Sequence, residues 1–541
     1  MSLQQDVPGM IARNPILKGF APDPSIVLHD GWYYLAGSSF EWYPTVPIHR
    51  SRDLVSWEFA GSFSSPGFLE NLNGYADSDG VWAPSLSVDE EGVFWLTFCV
   101  VSSSSSQHKE LDVYVARTRS IGDPWDPPAR VTSTGFDPSI FHHDGRHWLL
   151  NMNWNHRPDR DSAFDGITLE ELSADGSKTL GEPVIIHRRE TLIEGPNMYY
   201  RDGWFYLMLA EGGTGTNHGI TLMRSTRIEG PYETGPQPDL LTTRNNPEWP
   251  LQKAGHGELV QSPSGDWLLV HLASRCEIED SQPYSMLGRE TCVQRVRWDP
   301  DGWLRLSGGG HLPSLEVALP STATLGHAAE SLERSTATEN ATEPNISWPW
   351  STLREPADED WVSLSARPGW LRLRGRRSPD SLSGQSLVAR RLKELEFRAS
   401  VTVEAAPVDP SQSAGLIVYY NTASYCYLKI TVDNSGRRVA EIWVREAGDE
   451  VNLTGSFPLP EEACLRLGAE RRNGFLQFSL GVAGGDLELV GPQLRTGHLS
   501  DDRGPLLRFT GTLIGVSAQD LHNRSFTADF QQFRLLDGER G

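Results

Sequence analysis

Hydrophobic and polar positions alternate in short runs along most of the chain, and helical periodicity is scarce. The apolar runs are rich in β-branched and aromatic residues, and Gly, Pro and Asp separate them. Gly415–Tyr420 and Tyr427–Val432 are typical of these runs. Runs of strand length between such turn residues predict an all-β protein.

A turn followed by an aromatic strand recurs five times in the first 310 residues. The turn glycines lie 53 to 62 residues apart, and they are Gly31, Gly92, Gly145, Gly203 and Gly265. A period of this length is typical of a repeat architecture, and one hairpin-containing unit per period fits one propeller blade. We therefore predict a five-bladed β-propeller. Unrelated hairpins in a β-sandwich are the alternative, which five copies in a common phase disfavour.

The chain changes character after the last repeat. Residues 321–349 are dominated by Ser, Thr, Ala and Glu without apolar periodicity, which predicts a linker. The β pattern resumes after Trp348, and its strands are typical of a β-sandwich of the jelly-roll type. The predicted domains are a catalytic propeller over 1–320, a linker over 321–349 and an accessory β-sandwich over 350–541.

Acidic residues and a histidine precede the repeated turns at nearly constant distances. Asp23 and Asp137 stand eight residues before their glycine, and Glu194 and His256 stand nine before theirs. The second repeat has Trp82-Ala83-Pro84 at this point. Each residue alone is compatible with a turn, a surface loop or a satisfied core histidine. Since the innermost strands of a propeller line one channel, the shared phase favours a common site.

Three carboxyl groups in one channel have a specific chemical use. Crowded carboxyl groups raise each other's pKa, which costs stability unless a function requires it. Hydrolysis of a glycosidic bond needs one protonated and one ionised carboxyl group, and a third can tune the acid. No metal-ligand spacing, Gly-x-Ser-x-Gly motif or phosphate-binding loop competes for the role.

The charge and composition of the chain limit which classes of partner it is expected to bind. The net charge of −23 argues against nucleic acid and anionic membranes as partners. No run reaches the roughly 20 apolar residues of a membrane-spanning helix. The first 13 residues lack the apolar region of a signal peptide, so the chain is expected to be cytoplasmic or a mature secreted form. The sequence leaves open whether the protein forms a homo-oligomer.

Several ordered motifs carry a resemblance that covers nearly the whole chain. At these motifs the chain resembles glycoside hydrolase family 43, in particular its β-xylosidase and arabinofuranosidase members with a C-terminal sandwich. The motifs are Asn14–Leu17 with Asp23–Ser25, Ser38–Pro44, Trp82–Pro84, Asn151–Trp154, Glu211–Thr214, Leu287–Thr291, Phe509–Thr512 and Ala528–Phe530.

The resemblance implies a five-bladed propeller and an inverting exo-glycosidase. It implies removal of terminal pentosyl units from xylo-oligosaccharides or arabinoxylan, most closely as a xylan 1,4-β-xylosidase. Asp23 matches the general base, Glu194 the general acid, and Asp137 the carboxylate that tunes and orients the acid. Inversion predicts a separation of roughly 6.5–9.5 Å between the carboxyl groups of Asp23 and Glu194.

The resemblance also assigns the binding residues. Phe40 and Trp82 would wall the sugar subsite, Arg289 would hydrogen-bond sugar hydroxyls with Thr214 nearby, and Phe509 would lie at the rim. His256 matches a central histidine that supports the base side. In some members this histidine contacts a bound cation, so a structural Ca²⁺ in the channel is an expectation, while no cofactor is required.

Two departures leave alternatives open. Position 197 is Asn where the family's xylosidases usually have His, and the segment from Cys276 to Met286 is short. An α-L-arabinofuranosidase acting on arabinoxylan is therefore the alternative. A non-catalytic carbohydrate-binding propeller is the other, against which the three acids argue. The second domain is expected to brace the propeller, with polysaccharide binding as its alternative role.

Overall fold

The computed structural model describes residues 10–159, 162–320, 346–449, 451–460, 464–504 and 508–538. Within these ranges the chain forms strands, bridges and turns, and no residue is helical. The all-β prediction is confirmed. The same ranges contain no helix that is long and apolar enough to cross a membrane.

The first part of the chain folds into five four-stranded antiparallel sheets, the blades of a propeller. The strands of the first blade are Ser25–His29, Trp32–Ala36, Pro47–Ser51 and Glu58–Ser62. Those of the second are Gly80–Val88, Phe94–Ser102, Glu110–Thr118 and Ala129–Thr132. Those of the third are Gly135–His143, Arg146–Trp154, Phe164–Leu172 and Thr179–His187. Those of the fourth are Ile193–Arg201, Trp204–Glu211, Gly219–Ser225 and Glu233–Thr242. Those of the fifth are Gln252–Gln261, Trp267–Ser274, Glu290–Trp298 and Leu304–Leu306.

The repeated turn joins the first two strands of every blade. All five turn glycines have positive φ, between 68° and 87°, which a residue without Cβ adopts without strain. Asp30, Asp144 and Asp202, which precede three of these glycines, are also left-handed, with φ near 50°. Two consecutive left-handed residues are typical of the hairpin turns that match strand twist. The five predicted repeats are confirmed.

The blades close into a ring. The first strand of each blade contacts that of the next, and the fifth contacts the first again. Ile11–Arg13 pairs with Glu316–Ala318, which joins the two ends of the propeller. The Asn14 side chain adds two hydrogen bonds of 2.8 Å to the N–H and C=O of Val293. First strands that circle one axis bring their starts to one end of the channel.

The second part of the chain is a sandwich of two antiparallel sheets, as predicted. Eight strands form one sheet, in the order Asn452–Pro458, Arg438–Arg445, Ser424–Val432, Gln412–Asn421, Leu513–Asp520, Ser386–Arg391, Trp350–Leu353 and Trp42–Tyr43. Seven form the other, in the order Val362–Ser363, Leu371–Arg374, Thr527–Asp537, Phe397–Ala405, Leu465–Arg472, Phe475–Val482 and Glu488–Arg495. Two short strands, Glu277–Glu279 and Gln282–Tyr284, pair separately.

The propeller and the sandwich share a β-sheet and a hydrophobic cluster. The strand Trp42–Tyr43 follows the second strand of the first blade, yet it pairs with Trp350–Leu353 of the sandwich. One buried hydrophobic cluster contains Phe40 and Trp82 of the propeller together with Tyr419 of the sandwich. Such a core favours a bracing role for the second domain.

The predicted linker lies largely outside the described residues, since only 346–349 of the range 321–349 are described. Trp348 in this short stretch stacks on Phe59 of the first blade, with ring centroids 5.0 Å apart. The limits of 1–320 and 350–541 for the two domains stay predictions.

Candidate active site

A left-handed residue occurs near the start of the first strand in every blade. These residues and their φ angles are Asp23 (51°), Ala83 (39°), Asp137 (54°), Gly195 (53°) and His256 (38°). In the second to fifth blades the strand pairing shifts register at this point, as at a β-bulge. Bulges redirect side chains and often flank active sites. The fold thus repeats one local distortion five times around the channel.

The predicted phase needs one correction. Asp23, Asp137 and His256 are the left-handed residues themselves, whereas Glu194 comes one residue before Gly195. In the second blade the left-handed residue is Ala83, the middle residue of Trp82-Ala83-Pro84. Glu194 therefore lies one residue before the position that the other acids and His256 occupy. The acids therefore reach the channel from two adjacent positions.

One cavity of about 300 Å³ opens where these distortions meet. All nine predicted site residues line it, namely Asp23, Phe40, Trp82, Asp137, Glu194, Thr214, His256, Arg289 and Phe509. Sequence reasoning missed further lining residues, among them Lys109, Phe136, Trp154, Phe164 and His218. The volume lies at the lower end of the range for small-molecule sites, so the cavity suits a compact ligand.

Asp23 is held in its ionised form. Its side chain accepts hydrogen bonds from Arg289 Nη1 at 2.7 Å and from Ser38 Oγ at 2.6 Å. Burial pushes the pKa of Asp23 up, but Arg289, His256 and the Ser38 hydroxyl outweigh it and hold this pKa below the usual value of 3.8. Asp23 is therefore a carboxylate at neutral pH and can accept a proton.

Glu194 has the opposite environment. Burial, reinforced by the negative charge of Asp23, raises the pKa of Glu194 to about 7, although Arg289 opposes the shift. The Glu194 carboxyl group makes no hydrogen bond to any other side chain or backbone group in the described ranges. A large part of Glu194 is therefore protonated near neutral pH, with its proton available to a ligand. Carboxyl groups whose environments separate their pKa values are the pattern of an acid and a base.

Asp137 is placed to orient Glu194. Its Oδ2 accepts the Gly195 N–H at 3.1 Å, which fixes the backbone directly after Glu194. The same oxygen lies 3.8 Å from His256 Nδ1. Burial raises the pKa of Asp137 to about 7, and the charge of Glu194 adds to this while His256 opposes it. Because its oxygen is engaged by the backbone, Asp137 is better suited to positioning than to donating a proton.

Arg289 contacts the candidate base directly. Its Nη1 and Nη2 lie 2.7 and 3.5 Å from the two oxygens of Asp23, and Nη2 also donates to the Phe509 carbonyl oxygen at 3.3 Å. The guanidinium carbon lies 5.8 Å from the Phe40 ring centroid and 5.5 Å from that of Phe509. The prediction that Arg289 also binds sugar hydroxyls stays a prediction.

Aromatic rings form one wall of the cavity. Phe40 stacks on Phe509 with centroids 5.8 Å apart, and Trp82 meets Phe509 edge to face at 5.1 Å. Phe136 meets Trp82 at 5.7 Å from the other side. Rigid apolar faces beside hydrogen-bonding carboxyl groups suit a sugar ring, which has both kinds of surface. Phe509 comes from the second domain, so that domain completes the wall.

His218 and Ser38 belong to the site although no motif identified their roles. His218 Nδ1 lies 3.0 Å from the Lys253 carbonyl oxygen, and burial lowers the pKa of His218 to about 3, so the ring is neutral. A single histidine directly before a strand carries no signal for such a contact. Only the folded chain brings His218 to the cavity.

The structural Ca²⁺ expected near His256 stays a prediction. Calcium takes about six to eight oxygen ligands. The carboxylate oxygen facing His256 Nδ1 already accepts the Gly195 N–H. The described ranges hold no group of three or more His, Cys, Asp or Glu that could bind a metal.

In comparison with known proteins, each of the two domains matches a family model. The family model "Glycosyl hydrolases family 43" matches residues 12–304. The model "Beta xylosidase C-terminal Concanavalin A-like domain" matches residues 339–535.

Similar proteins match over almost their full length. The "Xylosidase/arabinosidase 43B" of Humicola insolens is 38% identical, over 96% of this chain and 97% of that protein. The "Xylan 1,3-beta-xylosidase" of a Vibrio species is 36% identical, over 97% of this chain and 99% of that protein. The crystal structure of xylan beta-1,4-xylosidase from Bacillus halodurans C-125 superposes with a TM-score of 0.92 at 39% identity, over 97% of this chain and all of that one. The chain therefore belongs to glycosyl hydrolase family 43.

Proposed function

We propose that this protein is an inverting exo-glycosidase that removes terminal pentosyl units from xylan-derived oligosaccharides, as a xylan 1,4-β-xylosidase. The observation that carries the proposal is the pairing of a carboxyl group with a lowered pKa and one with a raised pKa in a single small cavity. The names of the similar proteins support the pentose and the xylan.

In this proposal Asp23 is the general base and Glu194 the general acid. Asp23 takes a proton from a water molecule that attacks the anomeric carbon. Glu194 gives its proton to the glycosidic oxygen as the bond to the leaving sugar breaks. Direct attack by water on the face opposite the leaving group inverts the anomeric centre. Asp137 keeps Glu194 in place through the Gly195 N–H.

The remaining residues bind the terminal sugar. Phe40, Trp82 and Phe509 offer apolar faces to the ring, and Thr214 and Arg289 offer polar groups to its hydroxyls. A small pocket of about 300 Å³ accepts the end of a chain more readily than its middle, which supports exo action.

Hydrolysis of aryl β-D-xylopyranoside and aryl α-L-arabinofuranoside, measured side by side, tests the sugar preference. Comparison of 1,4-linked with 1,3-linked xylobiose tests the linkage, since the similar proteins include named examples of both. Asp23→Asn and Glu194→Gln are each expected to abolish most hydrolysis of xylobiose. Hydrolysis unchanged in either variant would overturn the role assigned to that residue.

An α-L-arabinofuranosidase is the second candidate. The name of the Humicola insolens relative joins both activities, and Asn197 departs from the pattern of the xylosidases. A higher kcat/KM on the arabinofuranoside than on the xyloside would select this candidate.

A further inference from the structure

Ser78 is a buried hydrogen-bonding centre beside the cavity, in the loop that leads into the second blade. It is only 1% exposed. Its hydroxyl oxygen accepts the N–H of Phe509 at 3.0 Å, and its carbonyl oxygen accepts the indole N–H of Trp82 at 2.8 Å. Its own N–H donates to Glu41 Oε2 at 3.1 Å. Ser78 thus contacts two residues of the aromatic wall and the neighbour of a third, Phe40.

The main chain of Phe509 is held at both of its polar groups. Ser78 takes the N–H, and Arg289 Nη2 donates to the C=O at 3.3 Å. Arg289 is part of the candidate catalytic site, so its position is fixed by Asp23. Phe509 is thus bound to the propeller by two main-chain contacts, of which the one from the Ser78 hydroxyl lies outside the candidate catalytic site.

The residues on either side of Ser78 fix the loop. Asp77 pairs with Arg354 of the second domain at 2.7 Å and accepts the Thr422 N–H at 3.2 Å. Asp79 accepts the N–H of Ser104, a cavity residue, at 3.2 Å. The loop is anchored to the second domain on one side and to the cavity rim on the other, so Ser78 has little freedom to move.

We propose that Ser78 is a positioning residue for the sugar-binding wall. Its hydroxyl holds Phe509 of the second domain against Phe40 and Trp82, and this placement sets the affinity of the pocket for the terminal sugar. Ser78 does not touch the reacting atoms. The proposal rests on the proposed function, because it takes the cavity to be the pentose site.

The test variant is Ser78→Gly. The φ angle of Ser78 is 66°, a conformation that glycine adopts without strain, so the substitution removes the hydroxyl group without disturbing the backbone. Loss of one neutral hydrogen bond predicts an increase in KM of about 2- to 10-fold for an aryl β-D-xylopyranoside. We expect kcat to change less than about 2-fold, since the wall binds ground state and transition state alike.

Ser103→Gly is the matched control. Ser103 is also left-handed, with φ of 59°, but it is exposed and its hydroxyl makes no hydrogen bond in the described ranges. The KM and kcat of the Ser103→Gly variant should equal those of the wild type. Equal changes in both variants would point to a general effect of glycine in the loops and would overturn the proposal.

A double-mutant cycle with Phe509→Ala identifies the route of the effect. If Ser78 acts through the Phe509 ring, Ser78→Gly should change KM by less than about 1.5-fold in the Phe509→Ala background. An undiminished effect there, or an unchanged KM in Ser78→Gly alone, would overturn the proposal.

Calorimetric affinities for D-xylose and L-arabinose separate this proposal from the proposed function. Ser78→Gly should lower the affinity for the better-bound sugar by the same factor by which it raises KM. If the wild type hydrolysed neither glycoside, the proposed function would fail, while the affinities would still decide whether Ser78 sets sugar binding.

Discussion

Replacing Arg289 with methionine removes the cation that keeps Asp23 ionised and retains much of the apolar stem. Arg289 Nη1 lies 2.7 Å from Asp23 Oδ1, and the two side chains are only 4% and 7% exposed. Solvent therefore screens this pair little. An opposite charge at such a distance lowers a carboxyl pKa by about 1–3 units. Its removal leaves burial as the main influence, so the pKa of Asp23 should rise by about that amount, or about 1.4 kcal/mol per unit.

The assay is the pH dependence of kcat/KM on an aryl β-D-xylopyranoside. The acid limb should report ionisation of Asp23, and the alkaline limb should report loss of the proton from Glu194, whose pKa is about 7. In Arg289→Met the acid limb should move up by about 1–3 pH units, and the alkaline limb should move in the same direction, since Arg289 also lowers the pKa of Glu194. Arg289→Lys keeps the positive charge and should retain most of the wild-type acid limb. An acid limb that is identical in Arg289→Met and the wild type would refute this account of the base.

Three further predictions concern the buried charges. The folded-state pKa values of Asp137 and Glu194, about 7, lie above the ordinary 3.8 and 4.5, so the stability they contribute is complete at low pH and is lost as the pH rises to about 7. In urea unfolding, the free energy of unfolding of Asp137→Asn or Glu194→Gln, relative to that of the wild type, should therefore rise by about 3 kcal/mol from pH 4 to pH 8. A difference between variant and wild type that does not change with pH would contradict this. Glu194→Gln should lose about 10²–10⁴ in kcat on xylobiose but far less on a nitrophenyl xyloside, whose leaving group needs little protonation; equal losses would argue against its role as the acid. Arg354→Met should lower the free energy of unfolding by about 3–5 kcal/mol, because Arg354 is fully buried and neutralises Asp77 beside the buried Glu41; a loss below 1 kcal/mol would be inconsistent with that pairing.

The propeller could be predicted from the sequence because its repeating element is local. Gly31 and its four counterparts must adopt positive φ in a tight turn, and the aromatic strand after each turn must pack between sheets. Both requirements act on neighbouring residues, so they leave a pattern along the chain. The same local pattern predicted that Asp23 and Asp137 lie close together, and both line one cavity in the structure.

The position of Glu194 shows the limit of counting. The left-handed residue lies eight positions before the turn glycine in the first, third and fourth blades and nine before it in the second and fifth, so the spacing alone does not say which of two adjacent residues enters the channel. Gly195 occupies the left-handed position in the fourth blade, which leaves Glu194 one place earlier. A shift of one residue changes the side of a strand, so only the bulge geometry resolves it.

The contacts between the domains lay beyond sequence reasoning for a different reason. Ser78 and Phe509 are 431 positions apart, and the hydrogen bond between them has no periodicity to reveal it. The pairing of Trp42–Tyr43 with the sandwich is equally non-local. Such contacts depend on how two finished surfaces meet. The resemblance placed Phe509 at the pocket, but nothing in the sequence indicated what holds it there.

The stereochemistry of the first product tests the central claim most directly. Proton NMR spectra taken during hydrolysis of an aryl β-D-xylopyranoside resolve the anomeric protons of the released sugar before mutarotation equilibrates them. If Asp23 activates water while Glu194 protonates the leaving oxygen, α-D-xylose should appear first and the β anomer only later. First appearance of β-D-xylose would mean retention through a covalent intermediate and would contradict the role of Asp23 as the base that activates water.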